Sequence, residues 1–272
     1  MLELTKKISR KANNASSIKQ AVILAAGLGS RLAKTPDDIK PLKLVGGVSL
    51  IQRNIELFVQ NGIEEVIIVT GYHAHELEAQ LTSDCAHLPV KLTFRFNPDF
   101  RKSNGLSVLC AQSAVRGNFI LTMADHIFAP EMVADACTLV PPQWGALLCV
   151  DYKLNTIFDM DDATKVLVDD GKVASISKKL TNFNAVDTGL FVCTPTLFEA
   201  LNAAADLSPI HDCSLSEGIA TLMKTGRMAV HDIGSFIWQD VDDDYMLKQA
   251  ESLVKTRLSA HVQSPRLMAV TA

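Results

Sequence analysis

The sequence predicts an α/β fold: a mostly parallel central sheet with flanking helices, plus a small β-hairpin lid or subdomain. Three observations carry this. Short runs at 21–25 (AVILA), 119–123 (FILTM) and 146–150 (ALLCV) are almost wholly apolar, as strands covered on both faces must be. Segments with helical apolar spacing separate them, and repeated strand–helix units of this size call for parallel strands joined by right-handed crossovers. In the middle of the chain, Asp169-Asp170-Gly171 joins two β-like runs in the manner of a hairpin turn.

The elements come in this order. Residues 21–25 form a buried strand that runs straight into glycines. Ile51, Ile55, Phe58 and Val59 then share one helical face, and Asn61-Gly62 supplies the C-cap. A strand is predicted over 66–69, a helix over 74–81 and an alternating strand over 91–96. A helix over 106–115 precedes a buried strand over 119–123, which ends near Asp125. Residues 131–139 read as a helix and 146–150 as a strand. Beyond the hairpin (165–168 and 173–176), 190–192 returns to strand before helices near 195–205 and 215–224. A late strand at 228–233 and a helix at 245–258 close the chain. No Pro/Gly/Ser linker or internal repeat divides it. The expected organisation is a polar leader at 1–19, one domain over 20–258 with a hairpin insertion at about 152–185, and a frayed tail at 259–272.

Composition narrows the function classes. The 272 residues are 48% hydrophobic and 21% charged, which is ordinary for a globular chain. A net charge of -4 argues against nucleic-acid binding, which favours a basic excess. No apolar run reaches the length of a membrane span. The basic leader lacks the apolar stretch of a secretory signal, so a cytoplasmic location is expected. Six cysteines include no CxxC pair, and most sit in apolar segments, which reads as buried thiols.

The chemistry concentrates first in the loop after residue 25. Ala25-Ala26-Gly27-Leu28-Gly29-Ser30-Arg31 places glycines directly after a buried strand, where backbone N–H groups can approach an anion. A dinucleotide site fits poorly, because Leu32 stands where a third glycine belongs and no acid ends the next strand. A P-loop fits worse, since the loop continues without a GK[ST]. Arg31 and Lys40 add two cations to the same long connection, which suits a triphosphate. A merely solvated basic loop explains either cation alone, but not the whole string.

Two carboxylates complete the pattern. Asp125 comes just after a buried strand, where ligand crevices open. Asp240 lies in Trp238-Gln239-Asp240-Val241-Asp242-Asp243-Asp244. Magnesium is held by one or two carboxylates plus substrate phosphates, so Asp125 and Asp240 are the candidate Mg²⁺ ligands. Asp242 or Asp243 reads as the cap of the closing helix. His126 reads as a supporting histidine without a chemical role.

The string LAAGLGSRL…KPLKLVGGVSLI resembles the signature of the sugar-nucleotidyltransferase superfamily. That resemblance implies a GT-A-like, Rossmann-like nucleotidyltransferase fold whose loop wraps NTP phosphates, with Lys40 at the reacting centre. Ile39 stands where that family has a proline, and Val48-Ser49 where it has lysine-proline. LTMADHIF, NAVDTGLFV, WQDVDD and Asn104-Gly105-Leu106-Ser107 further resemble CTP:inositol-1-phosphate cytidylyltransferases, over about residues 20 to 255. By that resemblance Asn104, Gly105 and Ser107 lie near the cytosine or ribose. Lys178 or Lys179 and Asp187-Thr188-Gly189 lie towards the acceptor, and Asp125 and Asp240 hold the metal. The same family often carries a membrane-embedded CDP-alcohol phosphotransferase; none is read here, so a stand-alone version is expected.

The implied reaction is attack of an acceptor phosphate oxygen on the α-phosphorus of CTP, with release of pyrophosphate. The acceptor is already anionic, so alignment and charge neutralisation suffice. Inositol 1-phosphate is the first candidate, with Thr181, Asn182 and Asn184 available to a polyol. Phosphocholine or 2-aminoethylphosphonate would instead use Asp159, Asp161 and Asp162. A non-catalytic regulatory nucleotide-binding module would not need both metal ligands. The apolar late helices could pair two copies as a homodimer.

Overall fold

The computed structural model describes residues 18–258, apart from 30, 33, 34, 36 and 37. Ser30, the leader over 1–17 and the tail beyond 258 therefore lie outside the described residues.

The strands are β1 (Gln20–Ala25), β2 (Leu44–Val45), β3 (Val48–Ser49), β4 (Glu65–Thr70), β5 (Lys91–Phe96), β6 (Phe119–Met123) and β7 (His126–Phe128). They continue as β8 (Ala146–Asp151), β9 (Lys165–Asp169), β10 (Lys172–Ser177), β11 (Ala185–Cys193), β12 (Met228–Asp232) and β13 (Trp238–Asp240). The α-helices are α1 (Leu50–Gln60), α2 (Ala74–Asp84), α3 (Asn104–Cys110), α4 (Pro130–Ala136), α5 (Thr196–Asp206), α6 (Leu215–Met223) and α7 (Asp244–Leu253). A π-helical turn over Val254–Leu258 extends α7. Nine strands make one sheet in the order β5-β4-β1-β6-β11-β8-β12-β10-β9.

All six residues of β1 are buried because alternate side chains enter different cores. Val22 and Leu24 pack into one with Ile67 and Val69, while Ala21 and Ile23 pack into the other with Val66 and Ile68. Helix α1 presents Ile51, Ile55 and Phe58 as its buried face. Its N-cap is Ser49, whose side chain accepts from the Gln52 N–H, satisfying one of the orphan donors of the first turn. A third, smaller core joins Leu32, Ile127, Val241 and Met246. It ties the glycine loop, β7, the end of β13 and α7 into one support.

The expectation of a mostly parallel sheet needs correction. Strands β5, β4, β1 and β6 are mutually parallel, but β11 runs antiparallel to β6, to β8 and to β9. A strand buried on both faces fits the middle of a sheet in either direction, so its apolar run carries no sign of its orientation. The hairpin β9–β10 is not a free flap. Strand β10 pairs with β12 and β9 pairs with β11, which closes β11-β8-β12-β10-β9 into a ring. Strand β11 is also longer than the predicted 190–192, so Asp187, Thr188 and Gly189 belong to it. Two unpredicted short strands, β7 and β13, pair antiparallel and set Asp240 opposite His126.

Candidate active site

The two loop glycines do different work. A Cβ on Gly27 would meet no atom within 4 Å, so its backbone is open to a ligand. Gly29 has φ +60, and a Cβ there would lie 2.5 Å from Lys40 Cβ. Glycine is therefore required for the lysine stem to pass. Behind them, Ala25 and Ala26 are buried, and the Ala26 carbonyl accepts from the Tyr72 N–H at 3.1 Å. Arg31 is exposed, with Nη2 2.9 Å from Asp162 Oδ2 and 2.7 Å from Asp242 Oδ2.

Lys40 opens a short 3-10 turn and is 8% exposed. Its ammonium lies 2.5 Å from Asp125 Oδ2 and 2.5 Å from Asp242 Oδ1. Asp125 lies just past β6 and Asp242 just past β13. The Val241 N–H donates to the Asp125 carbonyl at 2.9 Å, which stitches the two segments together. Burial opposes charge on Asp125, but Lys40 and His126 outweigh it and hold the carboxyl well below the usual carboxylate range. Burial likewise opposes charge on Lys40, and Asp125 with Asp242 raises its pKa nonetheless.

This geometry brings a further carboxylate beside the expected pair. Asp242, not Asp240, converges with Asp125 on a single cation. Asp240 lines the same cavity, and its pKa is raised by burial, with His126 opposing and the charges of Asp242 and Asp125 reinforcing. Among the described residues no three His, Cys, Asp or Glu side chains converge closely enough to hold a metal by themselves. The capping alternative resolves in favour of Asp243, whose Oδ1 accepts from the Tyr245 and Met246 N–H groups at 2.8 Å. The alternation in Asp240-Val241-Asp242 already put both acids on one face, the signal that could have identified Asp242.

A cavity of about 690 Å³ opens beside these groups. Of the three residues expected near the base, only Asn104 lines it, with Oδ1 also accepting from the Leu215 N–H at 2.9 Å. Gly105 and Ser107 turn into the core. A Cβ on Gly105 would lie 2.5 Å from the Cys213 carbonyl, and Ser107 Oγ accepts from Asn97 Nδ2 at 2.9 Å. Lys178, also on the lining, pairs at 2.7 Å with the Asp162 carboxylate that Arg31 holds. Lys179 is exposed and does not line the cavity.

Asp187 and Gly189 line the cavity, and the Gly189 N–H donates to Asp187 Oδ1 at 2.7 Å. Burial pushes the Asp187 carboxyl up to about 6, against the Gly189 N–H and His126, which lower it. Thr188 is fully buried and its hydroxyl donates to the Cys149 carbonyl, so it holds strands together and does not face the cavity. Asn184 bonds both backbone groups of Val168, which removes it from the candidate polyol contacts. Thr181, Asn182 and Asp161 also lie off the cavity wall, whereas Asp159 and Asp162 form part of it. Sequence reasoning missed Asp151, Lys153 and Trp238. The Trp238 indole N–H donates to Asp151 Oδ2 at 2.9 Å, and Lys153 Nζ lies 2.7 Å from Asp151 Oδ1.

The description MobA-like NTP transferase domain matches residues 21–157. A bifunctional IPC transferase and DIPP synthase of Archaeoglobus fulgidus is 35% identical over 86% of this chain and 43% of its own length. Its namesake in Thermococcus kodakarensis is 32% identical over 87% of this chain and 50% of its own. The chain thus spans about half the length of these relatives. The solved structure of the inositol-1-phosphate CTP transferase from T. maritima superposes with TM-score 0.76 at 24% identity, covering 89% of this chain and 98% of that one. Among the described residues no helix is long and apolar enough to cross a membrane. With an open glycine loop ahead of two cations, and a family match that spans the loop and Asp125, the chain belongs to the MobA-like NTP transferase family.

Proposed function

We propose that residues 20–258 form one catalytic domain that condenses CTP with inositol 1-phosphate, giving a CDP-alcohol and pyrophosphate. The observation that carries the reading is the convergence of Asp125 and Asp242 on one cation beside the glycine loop. The names of the relatives supply the base and the acceptor. An acceptor phosphate oxygen forms the new bond to the α-phosphorus, the bond to the bridging oxygen breaks, and pyrophosphate leaves. The Gly27 backbone, Arg31 and Lys40 bind the triphosphate. Lys178 and Lys153 face the acceptor's charge across the cavity.

The residues present fit a divalent cation such as Mg²⁺. Seven aspartates line the cavity against the cations Arg31, Lys153 and Lys178, so two anionic substrates need added positive charge to enter. Asp125 stays ionised, and two carboxylates already share one cation, which matches the ligand count of a substrate-bound Mg²⁺. When bound by Asp125 and Asp242, with Asp240 adjacent, the ion would neutralise charge on the phosphates. One observation favours a second acceptor class. Trp238 and Phe158 stand on the wall with Asp159 and Asp162, a combination that suits a cationic head such as phosphocholine or 2-aminoethylphosphonate. Pyrophosphate release, measured for each NTP against inositol 1-phosphate, phosphocholine and 2-aminoethylphosphonate, tests both. Turnover with CTP and inositol 1-phosphate, lost in Asp125→Ala, supports the first. Turnover only with an amine-bearing acceptor replaces it with the second, and none with any pair sinks both.

A further inference from the structure

Asp125 divides its two oxygens. Oδ2 meets Lys40, whereas Oδ1 lies 2.7 Å from Nδ1 of His126. The carboxyl is ionised and can only accept, so Nδ1 carries the hydrogen. A carboxylate tied through one oxygen presents the other to a cation in a fixed direction, as partners behind metal ligands commonly arrange.

His126 is itself gripped on three sides. Its carbonyl accepts from Asn54 Nδ2 at 2.9 Å. Its ring lies nearly parallel to the Trp238 indole, at 11° and 6.1 Å between centroids. On another side is Gly189, at φ +72, where any Cβ would collide with His126 Nε2. Trp238 is anchored in turn through its N–H to Asp151, which is 2% exposed.

We propose that His126 is a positioning residue for the Asp125 carboxylate, and that Gly189 and the Asp151-anchored Trp238 form the clamp on its ring. Gly189 thereby serves the cation side of the site as the floor beneath His126. The proposal rests on the reading of Asp125 as a cation ligand.

The test measures Mn²⁺ binding, by electron paramagnetic resonance, to protein carrying a non-hydrolysable CTP analogue. His126→Phe keeps a ring between Gly189 and Trp238 but deletes the donor. It should weaken Mn²⁺ binding about 10- to 100-fold. His126→Asn returns an amide donor near the place of Nδ1 and should recover most of that loss, which a merely structural role would not produce. Trp238→Leu, which loosens the ring without removing the donor, should weaken Mn²⁺ binding several-fold. Wild-type affinity in His126→Phe, with affinity lost in Asp125→Asn, overturns the proposal alone. Wild-type affinity in Asp125→Asn overturns the reading of Asp125 as well. If His126→Phe fails to fold, unchanged affinity in Trp238→Leu overturns the clamp and the positioning role together.

Discussion

The two halves of the sheet build the same cavity by different means. In the β5-β4-β1-β6 half, site groups arrive directly after strands: β1 runs into the glycine loop, and β6 ends just before Asp125. In the β11-β8-β12-β10-β9 half they mostly arrive on connections. Asp162 sits in the strap after β8, Lys178 just past β10 and Asp242 just past the β13 ribbon. The chemical contributions also differ. The first half brings Arg31, Lys40 and one carboxylate, Asp125, whereas the second brings mainly carboxylates. Cations of the first half are held by acids of the second, Lys40 by Asp242 and Arg31 by Asp162 and Asp242. Ion pairs thus bridge the two halves of the site.

The sharpest test of that comparison sets Asp242 against Asp240. If geometry decides which acid works with Asp125, Asp242→Asn should cost about 10²-fold or more in kcat/KM, near 3 kcal/mol. Asp240→Asn should cost less than about tenfold on the same scale. Steady-state pyrophosphate release measures both. Equal losses would mean that Asp240 shares the cation equally.

Lys40 offers the next largest effect. Lys40→Met removes the cation that Asp125 and Asp242 share in a largely buried setting, leaving Asp242 only Arg31 and Asp125 only His126. Removing one partner of such a pair costs about 3 kcal/mol. The metal-free variant should therefore melt well below wild type, and added Mg²⁺ or Mn²⁺ should raise its melting temperature more than that of wild type. An equal metal response in both proteins would mean that Lys40 does not occupy the cation position.

The same division governs how far the sequence could be read. The glycine loop, Arg31, Lys40 and Asp125 were legible because a buried strand announces itself by an unbroken apolar run, and residues just past its carboxyl end face the crevice. Asp151 and Lys153 gave no such notice. Their roles depend on which segments meet in space, and local periodicity is silent about that. Gly105 and Ser107 show the reverse error. The sequence segment resembled a base-binding one, but the first turn of α3 directs only Asn104 to the cavity. The antiparallel course of β11 escaped notice because direction leaves no mark on an apolar run.

Asp187 tests the acidic half through pH. Its folded pKa, about 6, lies above the ordinary value near 4. The folded state then binds the extra proton, so this group's stabilisation is complete below about pH 4 and is lost as the pH rises through about 6. Asp187→Asn cannot ionise. It should match wild type near pH 4 and melt higher at pH 7 to 8. The gap should be on the order of 1–2 kcal/mol, since the side chain faces a wet cavity and its penalty is screened. Melting temperature tracked across that range checks the sign. A variant that is less stable at pH 8 would show that the Gly189 N–H and His126 favour the ionised carboxylate more than burial opposes it.

The smallest effect separates neighbours on one turn of chain. Asp243 caps α7 by accepting from Tyr245 and Met246, while Asp242, one residue earlier, points to Lys40 and Arg31. Asp243→Ala should cost about 1 kcal/mol of stability, the ordinary loss of an N-cap. Its kcat/KM at a temperature where the protein stays folded should hold within about twofold, well under 1 kcal/mol. Met246 packs with Leu32 and Ile127 in the small core under the site, so fraying of α7 has one route to the catalytic groups. If Asp243→Ala lowers kcat/KM by about tenfold while melting nearly as wild type, that core transmits helix position to Asp242. The cap would then belong to the active site as much as to the helix.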